Sequence, residues 1–337
     1  MSSSHRTSVM RPRIFITQPV AASAIERLRA VADVELNPDS LHIITKSELL
    51  EKAPGLDILF CLLHDRVDRD VIAAGARLRA IASMKITPSD IDVAAATARR
   101  IPVTVIAPIV TEATADLHFA LLLAVARRVV EGDRLVRQGV FPGAQSAHLL
   151  GAWVFGKTIG LIGGGGRIGR AVAKRAQGFS MRTLYWTPRR KPESEEREAG
   201  LIYVPYDQLL AESDFVSVHA PLTAETRHLV GERELSLMRP TAFLVNTSRG
   251  PIVDEKALVR ALKEKRIAGA GLDVFENEPK VEPELLGMQN VVLTPHLGSA
   301  VKELREGMAN VVVDNIMAVL EGRRPPNCWN AEIYGKA

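Results

Sequence analysis

The fold of this chain is decided by the stretch Gly160-Leu161-Ile162-Gly163-Gly164-Gly165-Gly166-Arg167-Ile168-Gly169. It leads from a short apolar run through four consecutive glycines into a helix-like segment. Glycines let a backbone turn sharply and approach phosphate groups, and the free N–H groups at a helix start attract negative charge. This order of strand, turn and helix matches the GxGxxG fingerprint and predicts a dinucleotide site with contacts from Gly164, Gly166, Arg167, Ile168 and Gly169.

The composition is that of an ordinary globular protein. A length of 337 residues favours two domains, and a net charge of +4 with interspersed acids and bases predicts no nucleic-acid partner. Two cysteines, Cys61 and Cys328, are too few for a disulfide framework or a zinc cluster, so we expect no metal and a cytoplasmic location. The apolar run at 119–125 is too short to cross a membrane, and the serine-rich, basic N-terminus lacks the apolar segment of a secretion signal and is expected to form a tail.

Strands and helices alternate twice along the chain. The first series predicts strands at 13–17, 58–62 and 78–83 with helices at 21–32 and 70–76. A buried helix at 112–131, with Thr111 as its N-cap, links this series to the next. The second series predicts six strands, at 158–162, 182–186, 215–219, 242–246, 269–274 and 291–294. Helices at 167–179, 206–212, 232–238 and 255–265 lie between them, and a helix at 302–320 is expected to return to the first domain. This rhythm predicts an α/β fold with doubly wound parallel sheets.

Polar side chains follow three of the predicted strands of the second series. Arg249 follows the strand at 242–246, Glu276 and Glu278 follow 269–274, and His296 follows 291–294. The carboxyl ends of parallel strands share one edge of a sheet, so we expect these groups to meet in one cleft. Each also has an ordinary interpretation, as a surface arginine, solvated acids or a loop histidine.

Together these side chains form a set that suits reduction of a 2-oxo acid. An arginine can hold the carboxylate and polarise the neighbouring carbonyl with paired N–H donors. A histidine can protonate the carbonyl oxygen as hydride arrives, and a carboxylate bonded to that histidine orients it and favours its charged form. The sequence leaves open which of Glu276 and Glu278 is that carboxylate.

Beyond the glycine turn, the segments 213–223, 244–250, 271–279 and 294–299 make the chain resemble the D-isomer-specific 2-hydroxyacid dehydrogenases from about residue 13 to 329. The segment 59–68 is most similar to glyoxylate/hydroxypyruvate reductases of that family. The resemblance implies that Arg249 binds substrate, that His296 is the acid/base and that Glu278, rather than Glu276, is its partner. It also implies a Rossmann-type cofactor domain at 109–297, inserted into a discontinuous flavodoxin-like substrate domain at 1–108 and 298–337, and a homodimer formed through the cofactor domain.

The same resemblance implies further contacts with a nicotinamide cofactor. Asp273 is expected near the carboxamide, Thr114 facing the nicotinamide, and the segment His219-Ala220-Pro221 beside the adenosine. Additional cofactor contacts are expected at Thr226, Thr247, Ser248 and Gly298.

Two departures from the family pattern concern binding. The glycine turn contains one residue more than usual, which leaves open the role of each glycine. Thr87-Pro88-Ser89 replaces a Gly-Tyr-Asp-like stretch, although the backbone N–H groups of Ile86 and Thr87 are still expected to hold the substrate carboxylate. Threonine allows fewer backbone angles than glycine, so this departure bears on the choice of substrate.

The end of the second strand of the cofactor domain bears on the choice of cofactor. NAD-preferring sites carry an acid there for the ribose hydroxyls, whereas this chain has Thr187-Pro188-Arg189-Arg190-Lys191 and no acid before Glu193. We therefore expect NADP(H) to be preferred, with NAD(H) possible and with contacts from Thr187, Arg189 and Arg190. The alternative is a basic, solvated loop.

The sequence thus predicts an NAD(P)H-dependent reductase of a small 2-oxo acid, glyoxylate or hydroxypyruvate, with no nucleic-acid or membrane partner. One alternative is a dehydrogenase of another small anion, such as phosphite, or of another D-2-hydroxy acid. A more remote alternative is a cofactor-sensing co-repressor or scaffold, although the chain has no inserted peptide-binding module.

Overall fold

The computed structural model describes residues 10–335, so most of the predicted N-terminal tail lies outside the described residues. These residues form two compact units. One runs from the first described residue to Ile109 and resumes at Val301, and the other is Val110–Ala300. Within residues 10–335 no helix is both long enough and apolar enough to cross a membrane.

The described part of the first unit contains a five-stranded parallel sheet. Its strands are β1 (Arg13–Ile16), β2 (Asp33–Leu36), β3 (Ile58–Cys61), β4 (Ala80–Ser83) and β5 (Val103–Thr104). The helices between them are α1 (Ala22–Arg29), α2 (Lys46–Lys52), α3 (Arg69–Ala74) and α4 (Val93–Ala98). The strand order β2-β1-β3-β4-β5 is the flavodoxin-like order that was predicted. Strands β3 and β4 are buried along their whole length, as expected where helices cover both faces of a sheet.

The second unit, described throughout, contains a seven-stranded parallel sheet. Its strands are β6 (Thr158–Ile162), β7 (Arg182–Trp186), β8 (Ile202–Tyr203), β9 (Phe215–Val218), β10 (Phe243–Asn246), β11 (Gly269–Leu272) and β12 (Val291–Leu293). Its helices are α5 (Thr111–Ala126), α6 (Val129–Arg137), α7 (Arg167–Gly178), α8 (Glu193–Ala199), α9 (Tyr206–Glu212), α10 (Glu232–Leu237), α11 (Glu255–Lys263) and α12 (Pro283–Leu286). Helix α13 (Lys302–Leu320) belongs to the first unit and packs on its α1 and β4.

The strand order is β12-β11-β10-β9-β6-β7-β8. From β6 the chain adds strands toward one edge of the sheet, and from β9 it adds them toward the other, so the order switches between β6 and β9. In such sheets ligands bind outside the carboxyl ends of the strands at this reversal. Successive residues of β9 face opposite apolar cores, Phe215 one core and Val216 and Val218 the other, so both faces of the sheet are covered. The predicted doubly wound fold class is confirmed, with a short seventh strand, β8, that the sequence analysis missed.

The linking helix predicted at 112–131 was wrong in two respects. Thr111 lies inside the first turn of α5, whose N-cap is Val110. The helix also stops at Ala126, because Arg128 takes a left-handed φ of 54° and a new helix, α6, begins at Val129. The Ala126 carbonyl accepts a hydrogen bond from the Ala152 N–H at 2.8 Å. A segment that is distant in sequence thus satisfies one of the carbonyl groups at the end of α5.

Candidate active site

The glycine turn after β6 is built on close backbone contacts. Gly163 has a φ of +80°, and a Cβ added there would lie 2.6 Å from the Ala220 nitrogen. A Cβ at Gly169 would lie 2.5 Å from the Gly164 Cα, so α7 packs directly on the turn. Gly163 therefore makes the sharp turn, and Gly164 and Gly169 allow the helix to approach the strand. All four glycines precede the first residue of α7, whose N-cap is Gly166, so the additional glycine belongs to the turn and not to the helix.

Two features of this unit fit a bound dinucleotide. The first-turn N–H groups of α7 lie directly after the glycine turn, without a side-chain cap, as a pyrophosphate site requires. At the end of β10, the Thr247 hydroxyl oxygen is buried and has no hydrogen-bond partner among the described residues. A buried hydroxyl without a partner is costly, so a ligand group that bonds to it would offset that cost.

The basic segment after β7 is only partly available for a ligand. The Arg190 guanidinium forms two hydrogen bonds of 2.8 Å with Glu196, which also accepts one of 2.6 Å from the Tyr185 hydroxyl. These hydrogen bonds, first that from Arg190, lower the pKa of Glu196 to about 2. Arg189 is exposed, and in the described part of the chain no acid pairs with it or with Lys191. The Thr187 hydroxyl donates to the Arg189 carbonyl at 2.7 Å and so shapes the same loop.

The segment His219-Ala220-Pro221 after β9 is held on several sides. The His219 N–H donates to the Ile162 carbonyl at 2.7 Å. The Ser248 hydroxyl donates to the Ala220 carbonyl, and the Thr226 hydroxyl donates to the Pro221 carbonyl, each at 2.6 Å. Two of the predicted cofactor residues, Ser248 and Thr226, thus support the backbone that is predicted to face the adenosine.

A buried cluster that the sequence analysis missed lies behind this segment. The Ser217 hydroxyl lies 2.7 Å from His219 Nε2 and 3.2 Å from His118 Nδ1, and the two imidazole rings are 5.3 Å apart. Burial lowers the pKa of His219 to about 3 and that of His118 well below its ordinary value, so both rings are neutral. His118 stands in the apolar interior of α5, where a helical pattern alone suggests only a core residue.

Asp273 organises the loop that carries His296. One oxygen of its buried carboxylate accepts from the Thr294 hydroxyl at 2.6 Å and the Leu297 N–H at 2.7 Å, and the other accepts from the Gly298 N–H at 2.9 Å. The Gly298 carbonyl in turn accepts from the Thr114 hydroxyl at 3.2 Å. Three of the predicted cofactor residues, Asp273, Gly298 and Thr114, are therefore brought together. Burial raises the pKa of Asp273.

His296 and Glu278 are in direct contact. His296 Nδ1 lies 2.8 Å from Glu278 Oε2, and the other carboxylate oxygen accepts from the Phe275 N–H at 3.0 Å. Their side chains are 22% and 19% exposed, so the pair is sheltered but reachable from solvent. A carboxylate only accepts, so Nδ1 carries the proton of this hydrogen bond, and Nε2 is the ring nitrogen that does not contact Glu278.

Arg249 and Glu276 follow β10 and β11, which are neighbours in the sheet, and lie at the same edge as the residues that follow β12. Arg249 is exposed, and its Nη1 donates to the Ser248 carbonyl at 2.7 Å. A Cβ at Gly250 would overlap the Phe275 backbone, so the loop that carries Arg249 touches the loop that carries Glu278. Glu276 instead bonds to Arg227 at 2.9 Å and to His228 at 2.7 Å. The Glu276 carboxylate therefore bonds to partners other than His296.

In the first unit, Ile86 and Thr87 follow β4. Ile86 is half-buried and Thr87 is exposed. Neither backbone N–H finds an acceptor among residues 10–335. Two adjacent unpaired donors at a strand end form a group that can bind an anion.

Comparisons with known proteins extend over nearly the whole chain. Residues 119–298 match the model of the D-isomer specific 2-hydroxyacid dehydrogenase NAD binding domain. A glyoxylate reductase from Thermococcus litoralis is 48% identical over 96% of this chain and 98% of its own length. A solved structure from Polaromonas, titled a putative D-isomer specific 2-hydroxyacid dehydrogenase, has a TM-score of 0.88 at 33% identity, covering 95% of this chain and 99% of that one.

An NADPH-dependent glyoxylate/hydroxypyruvate reductase from Sinorhizobium meliloti has a TM-score of 0.76 at 31% identity, covering 95% of this chain and 98% of that one. The matched cofactor domain coincides with the unit that carries the glycine turn, His296 and Glu278. The chain belongs to the D-isomer specific 2-hydroxyacid dehydrogenase family.

Proposed function

We propose that this protein reduces a small 2-oxo acid, glyoxylate or hydroxypyruvate, to the D-2-hydroxy acid with a reduced nicotinamide cofactor. The observation that carries the proposal is the 2.8 Å hydrogen bond between His296 Nδ1 and Glu278 at the strand edge that also bears Arg249. Relatives that carry the name glyoxylate reductase and are 45–48% identical support the choice of substrate. In this proposal the unit Val110–Ala300 binds the cofactor.

The side chains would divide the reaction among them. The Arg249 guanidinium and the N–H groups of Ile86 and Thr87 hold the substrate carboxylate and orient the adjacent carbonyl. His296 donates a proton from Nε2 to the carbonyl oxygen, and Glu278 stabilises the charged ring before that transfer. When bound, the reduced nicotinamide supplies the hydride that the carbonyl carbon accepts. One hydride and one proton convert the 2-oxo acid into the 2-hydroxy acid, and His296 is reprotonated from solvent.

Residues that follow five strands, β6, β9, β10, β11 and β12, would hold the cofactor together with Thr114 of α5. The pyrophosphate would bind at the turn of Gly164 and Gly166, against the first N–H groups of α7, including those of Arg167 and Ile168. The adenosine would lie along the segment from His219 to Pro221, which Thr226 and Ser248 support. The nicotinamide end would lie near Thr114, Thr247, Asp273 and Gly298.

For the cofactor we propose a preference for NADPH. Arg189 and Lys191 supply positive charge for a 2′-phosphate, while Arg190 fixes the loop through Glu196. Arg190 was predicted to contact the cofactor directly; here we propose instead that it supports the loop that carries Arg189 and Lys191. The ratio of kcat/KM with NADPH to that with NADH tests this. Arg189→Ser should lower the ratio about tenfold or more if one charged hydrogen bond is lost, and a wild-type preference for NADH would refute it.

We also propose that the protein forms a homodimer through the second unit. Between α6 and β6 several large apolar side chains are exposed, including Phe141 at 78%, Trp153 at 74% and Phe155 at 61%. A surface of this kind on one unit marks an interaction site. Sedimentation of the wild type and of Phe141→Ser/Trp153→Ser should show a dimer and a monomer, respectively. A monomeric wild type at micromolar concentration would refute the proposal.

A panel of 2-oxo acids and phosphite, assayed with both reduced and both oxidised nicotinamides, tests the reaction itself. We expect NADPH oxidation with glyoxylate and hydroxypyruvate, and slower turnover with acids that have larger side chains. Turnover of phosphite alone, or cofactor binding without turnover of any substrate, would contradict the proposed function.

A further inference from the structure

Lys85, two residues after β4, is a buried lysine. Its side chain is 6% exposed, and its ammonium group donates to Asp90 Oδ2. Lysine is almost never this buried unless it is paired, because removing the ammonium group from water is costly. The pair spans the four residues 86–89, which include the two unpaired N–H groups of Ile86 and Thr87.

Backbone hydrogen bonds anchor both ends of this loop. The Lys85 carbonyl accepts from the Ile106 N–H, and the Asp90 carbonyl accepts from the Val67 N–H, each at 2.8 Å. Inside the loop one backbone bond, from the Ile91 N–H to the Pro88 carbonyl at 3.1 Å, forms a turn that leaves Ile86 and Thr87 outside it. The conformation of these two residues is therefore set mainly by what holds the loop ends together.

A second acid keeps the Lys85 ammonium in place. Asp65 is buried and attracts Lys85 electrostatically. One oxygen of Asp65 accepts from the Thr17 hydroxyl and from the Leu62 N–H at 2.5 Å, which fixes that carboxylate at the ends of β1 and β3. On the other side, the Ser89 hydroxyl donates to the Asp90 oxygen that Lys85 also contacts, at 3.1 Å. The Lys85 ammonium is thus attracted by a fixed buried carboxylate as well as hydrogen-bonded to Asp90.

We propose that the Lys85–Asp90 pair is a positioning device that holds the N–H groups of Ile86 and Thr87 ready for the substrate carboxylate. This inference rests on the proposed function, in which those N–H groups bind the substrate. Ordering a loop before binding removes an entropy cost from the binding step. Lys85 acts through the loop, because its own ammonium group is buried and committed to Asp90.

The test compares Lys85→Met with Lys85→Arg. A mutation that removes a binding interaction present in both the ground state and the transition state raises KM and leaves kcat unchanged. Lys85→Met should therefore raise the KM for glyoxylate about tenfold and keep kcat within about twofold of the wild-type value. Lys85→Arg keeps the pair and should keep KM within about threefold of the wild type.

Lys46→Met is the matched control, because Lys46 pairs with Asp68 and Asp70 on the exposed surface of the same unit. Its KM for glyoxylate and its dissociation constant for NADPH, measured by fluorescence, should equal those of the wild type. A merely structural role of Lys85 would lower the melting temperature of Lys85→Met and leave KM unchanged. An unchanged KM, or a fall in kcat alone, overturns the inference while the proposed function stands. A wild type without activity on any 2-oxo acid overturns both.

Discussion

Replacing His219 with asparagine should change how the stability of the second unit depends on pH. His219 and His118 share the Ser217 hydroxyl in a buried cluster, and burial lowers the pKa of His219 from 6.5 to about 3. Between pH 8 and pH 5 the unfolded chain therefore binds a proton at this position that the folded chain does not bind. Stability is lost as the pH falls below 6.5, and the loss is complete near pH 3.

The size of the effect follows from the two pKa values. A histidine with a pKa of 6.5 in the unfolded chain and about 3 in the folded chain removes roughly 2 kcal/mol of unfolding free energy between pH 8 and pH 5. His118 adds to the loss of the wild type in the same direction. In His219→Asn the loss over this pH interval should be smaller by roughly 2 kcal/mol, because asparagine does not titrate.

Guanidinium unfolding followed by tryptophan fluorescence measures this difference. In a Trp153→Phe/Trp329→Phe background the remaining tryptophan, Trp186 at the end of β7, reports on the second unit alone. The change in unfolding free energy between pH 8 and pH 5 is compared with and without His219→Asn, so that other titrating groups cancel. Equal changes in the two proteins would refute the conclusion that the His219 imidazole is neutral in the folded protein.

Two further predictions concern the binding residues. Gly163→Ala should destabilise the second unit by about 1–3 kcal/mol, because φ at this position is +80° and the new Cβ would lie 2.6 Å from the Ala220 nitrogen. The control is Gly178→Ala, which should not destabilise the unit because a Cβ at this position meets no atom within 4 Å. Unfolding curves of equal midpoint for the two variants would contradict this. Arg249→Lys should lower kcat/KM for glyoxylate about a hundredfold, because lysine cannot form the paired hydrogen bonds of a guanidinium; Arg227→Lys, which alters an arginine paired with Glu276, should leave kcat/KM unchanged, and a similar loss in both would remove the special role of Arg249.

The parts of the fold that the sequence predicted are those with strong local patterns. The glycine turn, the buried strands and α13 all have a clear apolar period or a clear run of turn residues. The strands that were missed, β2, β5 and β8, are short, and they lie at or next to a sheet edge. The break at Arg128 was missed because the apolar period continues across it. The left-handed conformation of Arg128 and the hydrogen bond from Ala152 to the Ala126 carbonyl at the end of α5 are features that no local pattern encodes.

In the candidate site, residue types were easier to predict than partners. The sequence located His296 and Glu278 at neighbouring strand ends, and the structure joins them by a hydrogen bond. It did not indicate that Asp273 holds the loop of His296 or that Glu196 occupies Arg190, since both depend on contacts between distant segments. The buried pair of imidazoles was missed for the same reason.

The proposed reaction depends most on His296 as the group that gives a proton to the substrate. The direct measurement is the single-turnover rate of NADPH oxidation with glyoxylate in the wild type and in His296→Gln, together with the NADPH dissociation constant of each. Loss of a general acid predicts a rate lower by about 10²–10⁴-fold with cofactor affinity unchanged. A rate within a few-fold of the wild type would contradict the central claim and require another group to supply the proton.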